Sequence, residues 1–431
     1  MTVYVTVTYI ICVYCSLQAA LRSQTVGSKC IGVMVTASHN PECDNGVKIV
    51  DADGGMMAQS WEPYAEELVN AKDTNAILAA INRISLSHGV SKSTPCVVVV
   101  GRDTRPHSQN LVKCIIRGAR AFGATVHDMG LTTTPQLHFI VQKANESATM
   151  FPILEIDRQS AVTNYYETIG KGYLDLVESA LLPGQSLAPV SVVVDGSNGI
   201  GSISIAEFAT VLNALKPDTL HVDLRNGAYT GPVNEGCGAE HVQKGQVPPK
   251  GLNPDADSGK TLCSFDGDAD RIVFHSYLLE NKWILLDGDK IAALLSLFIS
   301  QELQAAGLQE EFRLGVVQTA YANGASTIFL KKHNIPYTMA KTGVKYLHHK
   351  AHEFDIGTYF EANGHGTVLF SNKFMTHLNS LADSSLGNDT SSVADKRRKL
   401  AIRRLHVSVF SFTLKGMPGD LVSVHLSVLR Q

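Results

Sequence analysis

Residues Ile31–Val50 read IGVMVTASHNPECDNGVKIV. The stretch begins as a buried-strand pattern and breaks off at Thr36-Ala37-Ser38-His39-Asn40-Pro41. Pro41 cannot donate to a ladder and restricts Asn40 before it, so the strand must stop there. Asn45-Gly46 is a turn signal, after which Val47–Val50 returns as a second strand. One hydroxyl, one imidazole and one ammonium, on Ser38, His39 and Lys48, are thereby gathered around a single loop at a strand's end. That is where α/β proteins place ligands. A free serine hydroxyl is a poor nucleophile. Ser38 reads more easily as a phosphate carrier, bringing charge and acceptor oxygens that call for a metal and cations.

Outward from this loop a strand–turn–helix pattern appears three times. Cys96–Val100 leads into GRDTRPHS and a helix over Gln109–Phe122. Val190–Val194 leads into DGSNGIGS and a helix over Ile203–Ala214. Leu314–Gln318 leads into TAYANGAS and a helix over Thr327–His333. Each is half of a βαβ unit, and together they predict an α/β chain of three similarly built domains. The length of 431 residues agrees, at roughly 100–200 residues per domain. Trp61–Ile84 and Gly288–Leu308 have helical periodicity. Residues 17–29 read as a short helix and turn, Val3–Leu21 as a buried strand–helix piece, and Lys143–Asp157 as a linker. The basic run KRRKLAIRR (396–404) reads as a solvated helix face.

A net charge of −3 and a pI near 6.6 give no electrostatic reason for a nucleic-acid partner. The apolar N-terminal stretch has no basic segment before it and its Thr and Tyr weaken it as a membrane span, a cleaved signal or anchor being the alternative reading. Eight dispersed cysteines lack the density of a disulfide framework and point to a reducing, cytoplasmic compartment. Cys12-Val-Tyr-Cys15 has CxxC spacing without a second metal-ligand pair near it.

The next informative stretch is Ser264–Val273, SFDGDADRIV. Asp266, Asp268 and Asp270 stand at i, i+2 and i+4 between apolar strands. Three like charges so close demand a cation, and oxygen-only ligands select a hard ion such as Mg²⁺ or Ca²⁺. The EF-hand spacing fails, because Arg271 stands where Gly is needed and Tyr277 where Glu is needed. Arg271 offers a guanidinium fork to phosphate or carboxylate. Lys341-Thr342-Gly343-Val344-Lys345 is a turn opening a helix, whose free N–H groups suit an anion. His348 and His352 share the i, i+4 spacing of zinc pairs but lack the HExxH glutamate, so they read as a surface pair. Tyr359–Gly366, YFEANGHG, collects Glu361, Asn363 and His365 around glycines, suited to sugar hydroxyls and proton shuttling.

These pieces in this order, TASHNP with NGVK, DGDADR, KTGVK and FEANGHG, resemble the α-D-phosphohexomutase superfamily. The similarity runs from about Ala20 to Ser371. With LTTTPQLH, CSFDGDADRIV and GVVQTAYANGAST, it is closest to the eukaryotic branch acting on N-acetylglucosamine phosphates. The resemblance implies three consecutive α/β domains with mixed sheets flanked by helices, at 20–150, 160–280 and 281–385, and a divergent tail at 386–431. It implies an isomerase that interconverts N-acetylglucosamine 6-phosphate and N-acetylglucosamine 1-phosphate, one step before UDP-N-acetylglucosamine. Ser38 would be the phosphoserine, with His39 and Lys48 beside the transferring group and Lys48 a general acid/base. Asp266, Asp268 and Asp270 would hold Mg²⁺ together with the Ser38 phosphate. Arg271, Thr342, Gly343, Lys345, Glu361, Asn363, Gly364 and His365 would bind substrate. A glucosamine-type 1,6-bisphosphate would be intermediate and activator, the partner a small sugar phosphate, and the chain a monomer. Family members also carry a GTAGFR-type segment at the start and a fourth domain with an RPSGTE-type phosphate clamp. Met1–Gln18 and Asn372–Gln431 match neither. A second expectation is therefore a truncated, inactive chain that retains Mg²⁺ and sugar-phosphate binding.

Overall fold

A computed structural model describes residues 2–91, 93–146, 156–179, 181, 185–384 and 398–405. Three mixed sheets follow one another along the chain. The first has the order β2-β1-β3-β4, built from β1 (Cys30–Val35), β2 (Val47–Val50), β3 (Val97–Arg102) and β4 (Thr125–Leu131). The second, β6-β5-β7-β8-β9, comprises β5 (Val190–Asp195), β6 (Leu220–Arg225), β7 (Thr261–Phe265), β8 (Ile272–Tyr277) and β9 (Trp283–Leu286). The third, β11-β10-β12-β13, comprises β10 (Leu314–Thr319), β11 (Tyr337–Ala340), β12 (Ile356–Phe360) and β13 (Gly366–Phe370).

In each sheet the inner strands are parallel and an antiparallel hairpin occupies one side: β1–β2, β7–β8–β9 and β12–β13. The inner strands read as unbroken apolar runs because helices cover both of their faces, as burial on two sides requires. The three repeated helices form over Ser108–Ala121, Gly201–Leu215 and Gly324–Lys332, starting one to three residues earlier than their periodicity predicts.

Several local readings are corrected. Residues 2–25 form one helix, not a strand–helix piece or a short helix at 17–29. Its β-branched content favours a strand, but the helix lies against β1, β3 and the helix Ser108–Ala121, and packing overrides propensity. Arg22 locks it in place by pairing with Asp51 at 2.8 Å and lying over the Trp61 ring at 5.1 Å. Cys12 and Cys15 both lie on this helix. Burial pushes the Cys12 thiol up to about 12 and Cys15 up to about 11, so neither is a thiolate at neutral pH.

Trp61–Ile84 is two helices, Glu62–Val69 and Thr74–Ser87, because the Asp73 carboxylate accepts from Ala76 N at 2.9 Å and starts the second. The linker expected at Lys143–Asp157 begins in a helix that runs to Glu146, and its central part lies outside the described residues. Of the basic run, 398–404 is helical, in a helix that continues to Leu405, but not simply solvated. Ala401, Ile402 and Leu405 are buried, and Arg404 pairs with Glu302 at 3.0 Å. The readings at 386–397 and 406–431 fall outside the described residues.

Candidate active site

Three loops at the carboxyl ends of strands meet. The first follows β1, the second is the turn between β7 and β8, and the third is the turn between β12 and β13. Ser38 is buried, with a left-handed φ of 50°. Its Oγ donates to Asp266 Oδ2 at 2.6 Å, although the two residues are 228 positions apart. Its backbone carbonyl accepts from Arg105 Nη2 at 3.1 Å and from Asn234 Nδ2 at 2.9 Å. The same two side chains donate to the carbonyl of Asn40, at 2.6 and 2.9 Å. Arg105 is itself fixed by a fully buried ion pair with Asp103, whose carboxylate also accepts from Thr36 Oγ1 and Ser108 Oγ, each at 2.8 Å. Gly267 rests on this loop. A Cβ there would stand 2.6 Å from the Ser38 carbonyl oxygen, which is why the aspartate turn has glycine at that position.

Asp266, Asp268 and Asp270 are all buried, and each contributes an oxygen lying within 4.8 Å of the others. Lys48, returning on β2, places Nζ 2.7 Å from Asp268 Oδ2 and 2.5 Å from Asp270 Oδ2. Arg271 Nε approaches Asp266 at 3.7 Å and Asp270 at 3.8 Å, while its Nη1 pairs with Glu240 at 2.7 Å. Burial and then repulsion from Asp270 and Asp268 hold the Asp266 carboxyl well above its usual range. Burial also works against ionised Asp270, but Lys48, His365 and Arg271 outweigh it and hold that carboxyl far down. Burial alone would favour a neutral Lys48. Its two carboxylate partners prevail, so the ammonium is held above its ordinary value.

The triad fits a hard divalent ion on two observations. Asp268 Oδ1 is buried without a hydrogen-bond partner, and a buried oxygen in that condition is costly unless something fills its lone pairs. The site also sets three buried carboxylates against two cations, Lys48 and Arg271. Oxygen-only donors suit Mg²⁺. The residues of the DGDADR turn, Ser38 and Lys48 are therefore brought together.

His39 lies to one side, its Nε2 3.9 Å from Glu240 Oε1, turned to Glu240 rather than to Ser38. Burial, then Arg271, keeps its imidazole neutral-leaning. His365 approaches the triad from the third sheet, and burial holds it down at about 4 despite Asp270. Its loop is seated by Gly364, whose φ of 88° and packing against the Ile272 carbonyl leave no room for a side chain. Glu361 N donates to His365 O at 2.8 Å and Asn363 Oδ1 accepts from His365 N at 3.1 Å, so both lie half-buried in the same hairpin loop. Gly343, with φ 119°, begins the helix Val344–Ala351; Thr342 before it is exposed, and Lys345 pairs with Glu62 of the first domain.

A cavity of about 750 Å³ opens between the first and third sheets. Lys48, Thr134, His138, Asp270, Lys345 and His365 stand in its wall, and its size is that of a pocket for a small organic ligand. Several of these partners are not apparent from sequence. Thr134 donates to Asp268 Oδ2 at 2.6 Å. Arg105 and Asn234 hold the serine loop, and Glu240 holds Arg271 and His39. The polar run Thr132–Thr134 at the end of β4 is a usable signal for the first. Nothing in the sequence singles out Asn234 or Glu240.

Family profiles match in chain order. "Phosphoglucomutase/phosphomannomutase, alpha/beta/alpha domain I" covers residues 8–76 and 65–153, "Phosphoacetylglucosamine mutase AMG1, domain II" covers 160–273, and the corresponding domain III covers 287–412. The chain is 42% identical to the human phosphoacetylglucosamine mutase over 386 residues, 89% of this chain and 66% of that one. It is 40% identical to the Saccharomyces cerevisiae enzyme over 425 residues, 95% of this chain and 73% of that one. It thus spans slightly under two thirds of the human relative's length. The crystal structure of Aspergillus fumigatus N-acetylphosphoglucosamine mutase in complex with GlcNAc-6P and magnesium superposes with a TM-score of 0.84 at 33% identity, covering 98% of this chain and 74% of that one. An N-acetylglucosamine-phosphate mutase in its product complex gives a TM-score of 0.86 at 33% identity, covering 99% and 76%. Lys48, the aspartate turn and the β12–β13 hairpin share one cavity, and the relatives agree over nearly the whole chain: it belongs to the phosphoacetylglucosamine mutase family of the phosphohexomutases.

Proposed function

We propose that this chain interconverts N-acetylglucosamine 6-phosphate and N-acetylglucosamine 1-phosphate through phosphorylated Ser38 and a 1,6-bisphosphate intermediate. The observation that carries the reading is the Ser38 Oγ–Asp266 contact of 2.6 Å, made across two domains and 3.4 Å from Asp270, which lines the cavity. A serine meant only to cap a turn has no need of a buried carboxylate from another domain.

In the forward half-reaction the Oγ–P bond of phosphoserine breaks and an O–P bond to the free sugar hydroxyl forms. The hydroxyl's proton passes to His365, which is neutral near pH 7 and faces the cavity. After the bisphosphate turns over in the cavity, Ser38 Oγ takes back the other phosphoryl group. Lys48, held as a cation, neutralises charge on the transferring group and gives its Nζ proton to the departing Ser38 Oγ; the second half-reaction reverses both transfers, Ser38 Oγ–H returning its proton to Lys48 and His365 giving its own to the sugar oxygen that loses phosphorus. Arg105 and Asn234 keep Ser38 in place through its carbonyl. Mg²⁺ held by Asp266, Asp268 and Asp270 with the Ser38 phosphate would spread charge from the phosphoryl oxygens. Arg271, Thr342, Gly343, Lys345, Glu361, Asn363 and Gly364 would surround the sugar phosphate, and His39 would border the transferring group. The same reading makes the chain a cytoplasmic monomer whose partner is a free sugar phosphate; light scattering giving a dimer mass would contradict it. No helix among the described residues is long and apolar enough to cross a membrane.

The test is to incubate the purified chain with N-acetylglucosamine 1-phosphate, Mg²⁺ and a glucosamine-type 1,6-bisphosphate. The 6-phosphate should form, and Ser38→Ala should abolish it. Intact Mg²⁺ binding with no turnover by the wild type would defeat the mutase reading in favour of a chain that only binds.

A further inference from the structure

On the helix Val344–Ala351 and its C-terminal cap, His348 and His352 turn to the same side, and both stand in the cavity wall. Their Nε2 atoms are 3.2 Å apart. Two nitrogen ligands held at 2.0–2.1 Å by one tetrahedral ion lie about 3.4 Å apart, so the side chains already have the bite of a chelate. The His348 ring is oriented from behind, since its Nδ1 lies 3.0 Å from the buried Tyr359 hydroxyl. With Nδ1–H donating to that oxygen, the lone pair is on Nε2, facing His352. This outer hydrogen bond is the usual device for fixing the tautomer of a metal-bound imidazole. The ligands are nitrogens, which favour a borderline ion over Mg²⁺.

We propose that His348 and His352 form a second metal site, selective for Zn²⁺ and ions like it. It is separate from the aspartate triad and belongs to the wall of the same cavity. Two protein ligands leave the remaining positions to water or to an oxygen of a cavity occupant, so the site is reversible rather than structural. In the absence of metal a single hydrogen bond from His352 Nε2–H to His348 Nε2 accounts for the contact, and on metal binding that proton moves through solvent to His352 Nδ1, freeing the Nε2 lone pair. Binding at the pair is independent of the mutase reading.

The test uses the full chain in saturating Mg²⁺, with the exposed Cys43 changed to Ser to remove a competing thiol. Zn²⁺ is titrated against a chromophoric zinc indicator. One equivalent should be retained, His352→Gln should weaken it by about tenfold or more, and Asp268→Asn should leave it in place. His352 is exposed, so its substitution leaves folding intact. As a second readout, Cu²⁺ bound to the chain should show electron paramagnetic coupling to two imidazoles, reduced to one in His352→Gln. Unchanged Zn²⁺ affinity in His352→Gln, or loss of the ion in Asp268→Asn alone, would overturn the proposal.

Discussion

Arg105 offers the sharpest test of how the serine loop is held. Its side chain and that of Asp103 are both fully buried, at 0% exposure each. Arg105→Met keeps much of the volume but strands the Asp103 carboxylate, which retains Thr36 Oγ1, Ser108 Oγ and Arg105 N as donors. Removing one partner of a buried pair costs roughly 3–5 kcal/mol. The carbonyls of Ser38 and Asn40 also lose a charged donor, though Asn234 still serves both. For a domain of this size about 1 kcal/mol moves Tm by 2–4 °C, so the melting temperature of the first domain should fall by about 6–20 °C. Asp103→Asn in the same chain removes the stranded charge. The double variant should therefore be more stable than the sum of the two single losses, by about 1–3 kcal/mol. Differential scanning calorimetry of all four proteins measures this. A Tm loss under about 2 °C for Arg105→Met, or strict additivity, would refute the claim that this pair secures the loop.

Thr134→Val removes the 2.6 Å bond to Asp268 while preserving shape; Mg²⁺ affinity by titration calorimetry should fall about 10–100-fold, with little change in Tm. Gly364→Ala puts a methyl group against the Ile272 carbonyl at a φ of 88°. It should destabilise by about 1–3 kcal/mol and, in the mutase assay, raise KM as the sugar loop lifts from the aspartate turn. His275 is buried between Ser264 Oγ and Trp283 Nε1, and burial holds its imidazole down at about 4 from an ordinary 6.5. A depressed histidine stabilises the fold above its unfolded value and loses that contribution as pH falls from about 6.5 toward 4, on the order of 3 kcal/mol. His275→Gln should flatten the acid limb of stability measured by urea unfolding between pH 7 and 4, and an unchanged limb would show that this histidine does not report burial.

Much of the site was legible because its groups come in local clusters. DGDADR announces a cation by charge alone, since three carboxylates in five positions repel one another unless a positive ion lies among them. Its position between two apolar strands placed it at the end of a sheet. The TASHNP loop was recognisable from the strand pattern that breaks off at Thr36, ahead of Pro41. Helix ends and the N-terminal helix were less legible. Local propensity favoured strand for the first part of residues 2–25, and the packing that overrides it belongs to residues far along the chain.

What the sequence by itself determined is the set of reagents: a serine in an open turn, a lysine on the returning strand, a carboxylate triad, a glycine-seated polar hairpin, and three α/β units to carry them. Only the tertiary structure decided which reagents face one another. Ser38 meets Asp266 while His39 is turned toward Glu240. Lys48 is a fixed cation because two buried carboxylates from another domain outweigh its own desolvation. Arg105, Asn234 and Thr134 hold the centre together from positions that sequence reading did not single out as site residues. These are relations between atoms up to 228 positions apart. Their energies depend on burial and on distances of a few ångströms, which periodicity and composition do not encode.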